Sequence, residues 1–179
     1  TEATALSLTV DNSTGTTAVV NLDHDGNAIA AGSATITDLT LTSTGEASVF
    51  ELQADKLENL TIEAGADLDI STNATTSYAN AALLTVDVNG AGAVDLGDLT
   101  TSVALNSFDA SGNTGGVTAT VEADSATLTG DLAEYVLSAG DDDVTVQATT
   151  GNAADVKVTA GAGDDIVTLA SGINTAGAV

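Results

Sequence analysis

The sequence predicts an all-β chain wound as a right-handed parallel β-solenoid, with irregular coils of about 20–28 residues. Three observations carry that expectation. Short segments set aliphatic residues at alternate positions, as a strand with one buried face requires. A glycine recurs between paired segments, at positions 45, 65, 90, 112, 140 and 161, with intervals of 20, 25, 22, 28 and 21 residues. Proline is absent, so every backbone N–H remains available to a neighbouring coil. An antiparallel β-sandwich is the alternative, since it too uses short alternating strands. The hairpin dipeptide Asn-Gly occurs only at Asn89-Gly90, which favours the solenoid.

In order, residues 6–10 (Leu-Ser-Leu-Thr-Val) read as a first strand, 11–15 as a turn and 19–22 as a second strand. The unit recurs at 39–41, Gly45 and 49–52; at 60–62, Gly65 and 68–70; and at 84–86, Gly90 and 94–96. Further copies are 108–110, Gly112 and 117–121; 135–137, Gly140 and 144–146; and 156–158, Gly161 and 166–169. Two pre-strand segments, 57–60 and 132–135, put apolar residues three apart, as a coil corner or a single helical turn would. Residues 21–38 fit the repeat least well and are expected to hold an insertion or an irregular coil.

The 179 residues suit one domain, 1–179, or a short solenoid array. Against 26 acidic residues stand 2 basic ones, Lys56 and Lys157, and the formal charge is −24. That balance excludes a phosphate-backbone binder and calls for cations to relieve self-repulsion. Aromatic residues make up only 2% of the chain, so Leu, Val, Ile and Ala must fill the core, as suits thin coils. Cysteine is absent, which removes disulfides and thiolate metal sites and fits an exported protein. No apolar stretch approaches a membrane span, so no membrane insertion is expected. Without an initial methionine or a leader, the chain is expected to be an excerpt of a larger protein.

The chemistry concentrates in residues 160–168, Ala-Gly-Ala-Gly-Asp-Asp-Ile-Val-Thr. Against the calcium repeat G-G-x-G-x-D-x-U-x, Gly161, Gly163, Asp165 and Val167 fill the second, fourth, sixth and eighth places, and Ala160 replaces the first glycine. Glycines would turn the backbone and expose carbonyls, and the aspartate would add a hard anionic oxygen. Asp164 would contribute mainly its carbonyl. A looser copy has Gly140, Asp142 and Val144 in equivalent places, flanked by Asp141 and Asp143. Asp142 and Asp165 lie 23 residues apart, about one coil, so the two turns are candidates to share Ca2+. A plain solvated turn is the other reading of each.

Asn21, Asp23, Asp25 and Gly26 match the opening of an EF-hand loop, but the twelfth place falls on Gly32 instead of glutamate. Asp23 and Asp25 are therefore candidates either for calcium or for an acidic turn. His24 is the sole histidine, too little for a transition-metal site. The pairs Asp67/Asp69 and Asp95/Asp98 read as solubilising charge or as carboxylates near an ion. Paired-acid glycoside hydrolysis needs a cleft, usually with aromatic platforms, and the chain offers only Tyr78, Tyr135, Phe50 and Phe108. Lys56 and Lys157 are the sole candidates for a lyase base. No enzyme activity is expected. The Thr35/Thr37, Thr40/Thr42 and Thr118/Thr120 pairs would form an ice-binding array only if in register between coils, which their positions are not, so they read as ordinary outward strand residues; the sequons at Asn12, Asn59 and Asn73 are similarly weak signals.

With its two Gly-Asp-Asp turns in a Thr/Ala/Gly/Asp-rich background, the chain resembles repeats-in-toxin proteins, and particularly the surface-layer proteins of Gram-negative bacteria. The motif covers about residues 137–169. The resemblance implies type I secretion, folding outside the cell on meeting calcium, and assembly with copies of itself into a two-dimensional lattice on the bacterial surface. A cell-surface glycan would be met through missing regions. The alternative is an adhesin or ligand-binding repeat segment whose outer face binds carbohydrate or a host surface.

Overall fold

A computed structural model describes residues 4–11, 19–22, 36–49, 51–53, 56–70, 83–99, 105–123, 133–148 and 154–175. Among them run β1 (Ala5–Asp11), β2 (Val19–Asn21), β3 (Asp38–Thr44), β4 (Ser48–Val49), β5 (Glu51–Gln53), β6 (Asn59–Ala64), β7 (Leu68–Asp69) and β8 (Thr85–Gly90). They continue as β9 (Val94–Asp98), β10 (Ser107–Asn113), β11 (Val117–Ala123), β12 (Ala133–Val136), β13 (Asp143–Ala148), β14 (Ala154–Thr159), β15 (Ile166–Leu169) and β16 (Ile173–Thr175). No described residue is helical. The corner at Leu57 is held by the Glu58 and Asn59 N–H groups, which both donate to the Thr37 carbonyl.

Among the described residues every strand pairing is parallel, so the chain is a β-solenoid and not a sandwich. The first sheet stacks β1-β3-β6-β8-β10-β12-β14-β16, and the second stacks β4-β7-β9-β11-β13-β15. A short β2-β5 pair forms a third wall. Sequence-adjacent strands thus lie in different sheets, and each pairs with its counterpart one coil away.

The alternation seen in the sequence becomes columns along the axis. Leu6, Leu39, Leu60, Val86, Phe108, Tyr135 and Val158 occupy one inward column of the first sheet. Leu39 to Val158 are buried, and Phe108 and Tyr135 meet edge to face at 6.5 Å. The coil length varies because the inserted residues fall outside the paired strands: Leu6 and Leu39 are level though 33 residues apart, Leu39 and Leu60 only 21. The longest interval contains residues 21–38, expected from the sequence to hold an insertion or an irregular coil, and most of them lie outside the described residues.

Candidate functional site

From β3 to β15, each described coil turns a corner between its first-sheet strand and its second-sheet strand, and polar side chains collect there. At the start of the second sheet, one inward column runs Ser48, Leu68, Val94, Val117, Asp142, Asp165. In the lower coils the N–H groups of this column donate to a backbone carbonyl of the next coil. Ser48 bonds Asp67 O at 2.9 Å, Leu68 bonds Ala93 O at 2.8 Å, and Val94 bonds Gly116 O at 3.0 Å. In the upper coils a side chain takes over. The Val117 N–H donates to Asp142 Oδ1 at 2.7 Å, and the Asp142 N–H donates to Asp165 Oδ1 at 3.2 Å.

Asp142 is only 2% exposed. Besides Val117, its carboxylate accepts the Ser138 hydroxyl on Oδ1 at 2.7 Å and the Ser138 N–H on Oδ2 at 2.9 Å. Three donors compensate part of the cost of burying the charge. Other corners use neutral side chains for similar work. Buried Asn113 accepts the Gly115 and Gly116 N–H groups and donates to Gly92 O, while buried Ser43 donates to Ala66 O at 2.6 Å.

The corner glycines have a packing reason. A Cβ on Gly92 would lie 2.3 Å from the Ala66 backbone, one on Gly115 2.3 Å from Gly92, one on Gly140 2.4 Å from Gly116, and one on Gly163 2.4 Å from Gly140. Gly163 also needs its φ of 123°. The aligned set is therefore Gly92, Gly115, Gly140 and Gly163, whereas the glycines counted in sequence fall at several corner positions. Gly112 lies beside Asn89, and Gly161 stacks on the Ser138 carbonyl.

Of the sequence-predicted calcium residues, Gly140, Asp141, Asp142, Asp143, Gly161, Gly163, Asp164 and Asp165 all come to the two uppermost corners. Asp23 and Asp25 lie outside the described residues. Asp141 is exposed, and its Oδ1 accepts the Asp164 N–H at 2.8 Å; Asp143 and Asp164 are exposed, and Asp165 is half-buried. Among the described residues no three Asp, Glu, His or Cys side chains converge as a metal set. At Asp142 three hydrogen bonds already occupy most of the carboxylate's acceptor sites, so an ion there would compete with the ladder in a buried corner. In this arrangement the Asp142 carboxylate acts as an internal hydrogen-bond acceptor.

Three further aspartates also brace backbone. Asp67 Oδ1 accepts the Ala93 N–H one coil up, Asp95 Oδ1 the Gly97 N–H and Asp109 Oδ1 the Ser111 N–H, the last two beside register shifts. A shallow groove of about 220 Å³ follows the lower corners, with Asp67, Asp69, Asp95 and Asp141 along it and Leu68 and Val94 beneath. On the outer first-sheet wall, Thr85 donates to Asn59, Asn59 donates to Asp38 and Thr37 donates to Asp38. The bonds from Asn59 and then Thr37 hold the Asp38 carboxyl below its ordinary range. Asn59, the one described sequon asparagine, is thus engaged within the wall. Lys157 pairs with Glu134 on the same wall. Thr40 and Thr42 face out from the first sheet, and Thr118 and Thr120 from the second, so they form no common array. No family model, curated protein or solved structure matches the chain.

Proposed function

We propose that the chain is a structural segment of a secreted bacterial surface layer, which associates with its own copies in a calcium-dependent way and turns over no substrate. The observation that carries this reading is the division of labour among carboxylates: Asp142 is an acceptor inside the corner, while Asp67, Asp141, Asp143 and Asp164 stand exposed on the flanks of the solenoid. At a formal charge of −24, copies repel at low ionic strength. Calcium bridging exposed carboxylates between copies removes that barrier. The surface-layer assignment draws on the resemblance of the Gly-Asp-Asp turns, and export follows from it. Magnesium should replace calcium poorly, because it holds its waters and demands octahedral geometry.

Electron microscopy and light scattering in calcium, magnesium and sodium at matched ionic strength test this. Ordered lateral arrays in calcium alone are expected; a chain that stays dispersed in calcium overturns it. The groove beneath Asp67, Asp69, Asp95 and Asp141 supports a second reading, a carbohydrate-binding adhesin segment. A glycan that binds the dispersed chain, and is lost in Asp95→Ala, would establish that alternative.

A further inference from the structure

The shallow groove over the second-sheet corners is long and narrow. It runs past the corner residues Asp67, Ala93, Gly116 and Asp141, which follow one another from coil to coil. Asp67 and Asp141 stand at the two ends of this stretch, Ala93 offers only a methyl group between them, and Gly116 offers no side chain at all. A side chain at Gly116 is excluded by its φ of 94° and by the Asp141 carbonyl, 2.3 Å from where a Cβ would stand. Three ladder steps separate the two aspartates, roughly 14 Å at the ordinary strand spacing. β4 lies below this stretch and β15 above it, so the stretch belongs to the interior of the ladder and not to an end. In the neighbouring outward column Asp69 and Asp95 stand level on adjacent strands, a like-charge pairing that ordinarily costs stability. Asp67 and Asp141 are exposed, and each is tethered through one oxygen, Asp67 Oδ1 by the Ala93 N–H and Asp141 Oδ1 by the Asp164 N–H. The groove is thus a hydrocarbon floor between fixed anions. The chain's two basic side chains, Lys56 and Lys157, do not line it, so the sequence has no lysine or arginine left to neutralise it.

We propose that this groove binds a free linear polyamine, with ammonium groups at Asp67 and Asp141 and the methylene stem laid across Ala93 and Gly116. Two features select this occupant. Charge complementarity requires a cation from outside the chain. The shape requires a long, thin body whose charges stand apart, because a compact ion held at one aspartate would leave the apolar floor uncovered. An exposed ion pair contributes little by itself, so the stem supplies the rest by burying methylenes on that floor. An inner ammonium of the same molecule would pass beside Asp69 and Asp95 and relieve their repulsion. The inference names a different occupant from the carbohydrate of the second reading and does not rest on self-association. Binding is read on the dispersed chain in chelator, where calcium-bridged arrays cannot form, so its failure leaves the surface-layer reading standing.

The test is calorimetric titration of the chain, in chelator and physiological salt, with two dications that differ only in length, putrescine and decane-α,ω-diamine. The long diamine should bind roughly tenfold more tightly, since burying two or more methylenes is worth that much. Spermine should displace it. Asp141→Asn keeps an acceptor for the Asp164 N–H while removing the charge, and should weaken the long diamine severalfold. Asp155→Asn removes the same charge from an exposed site on the first-sheet wall and should leave binding unchanged. Ala93→Leu fills the floor at an exposed position without altering charge, and should abolish the preference for the long diamine. Equal binding of the two diamines by the parent, equal weakening by Asp141→Asn and Asp155→Asn, or a length preference that survives Ala93→Leu overturns the proposal. So does a tetralysine peptide that binds more tightly than spermine, which would assign the groove to a basic polypeptide segment.

Discussion

The lower and upper halves of the solenoid solve the same corner in different ways. At Leu68, Val94 and Val117 the inward column is hydrocarbon, and the N–H groups of Leu68 and Val94 reach carbonyls of the coil above. At Asp142 and Asp165 the column turns acidic, and the carboxylate oxygen takes the place of that carbonyl. The glycine column runs through both halves unchanged, from Gly92 to Gly163. The comparison teaches that glycine and aspartate at coil spacing can arise from two unrelated demands. Glycine answers to the distance between stacked backbones, and aspartate to an N–H that needs an acceptor.

The largest effect should come from the feature the halves share. Gly92→Val and Gly140→Val each push a side chain into backbone, and each should cost about 3 kcal/mol or more in urea unfolding. A much cheaper change at Gly140 alone would show that the upper corner is looser. Next, Val94→Ala removes buried methyl groups from the lower column and should cost about 2 kcal/mol, independent of calcium.

Tyr135 probes the core of the upper half. Burial raises its phenol well above the ordinary value, and its hydroxyl donates to the Leu105 carbonyl at 3.0 Å. Because the folded value is the higher one, the stability it contributes is complete below the unfolded tyrosine value of about 10 and is lost as pH rises toward the folded value. Near-ultraviolet absorbance should therefore show Tyr135 ionising together with alkaline unfolding, and Tyr135→Phe should remove that coupling. Ionisation of Tyr135 within a fully folded chain would contradict its burial.

The smallest effect belongs to the exposed wall of the lower half. Asp38 is held below its ordinary value, so its contribution is present above the unfolded carboxylate range and lost as pH falls through the folded value. Asn59→Ala should move the Asp38 titration upward by NMR, with little change in thermal midpoint.

Much of the fold was legible because the buried face of each strand recurs with period two. Leu39/Leu41, Leu60/Ile62 and Val86/Val88 announce their inward columns directly. The glycine column was not legible, because coils of unequal length hide which glycines come level. The inward place of Asp142 was hard to read for a different reason: Gly-Asp-Asp suggests a solvated or ligating turn until its phase is noticed. It stands two residues before Val144 and four before Val146, in step with the inward face. Ser43 shares that signal after Leu39 and Leu41. Asn113 does not, because the register shift after Asp109 breaks the alternation.

The central claim is that Asp142 is an internal acceptor of the ladder, and its most direct test is the stability of Asp142→Ala in chelator. Removing the carboxylate strands the Val117 and Ser138 donors in a buried corner and should cost about 3 kcal/mol in urea unfolding, with the same loss when calcium is added. Asp165→Ala, which removes one bond at a half-buried site, should cost about 1 kcal/mol. If Asp142→Ala matches the parent in chelator and falls behind only in calcium, Asp142 is an ion ligand and the account is wrong.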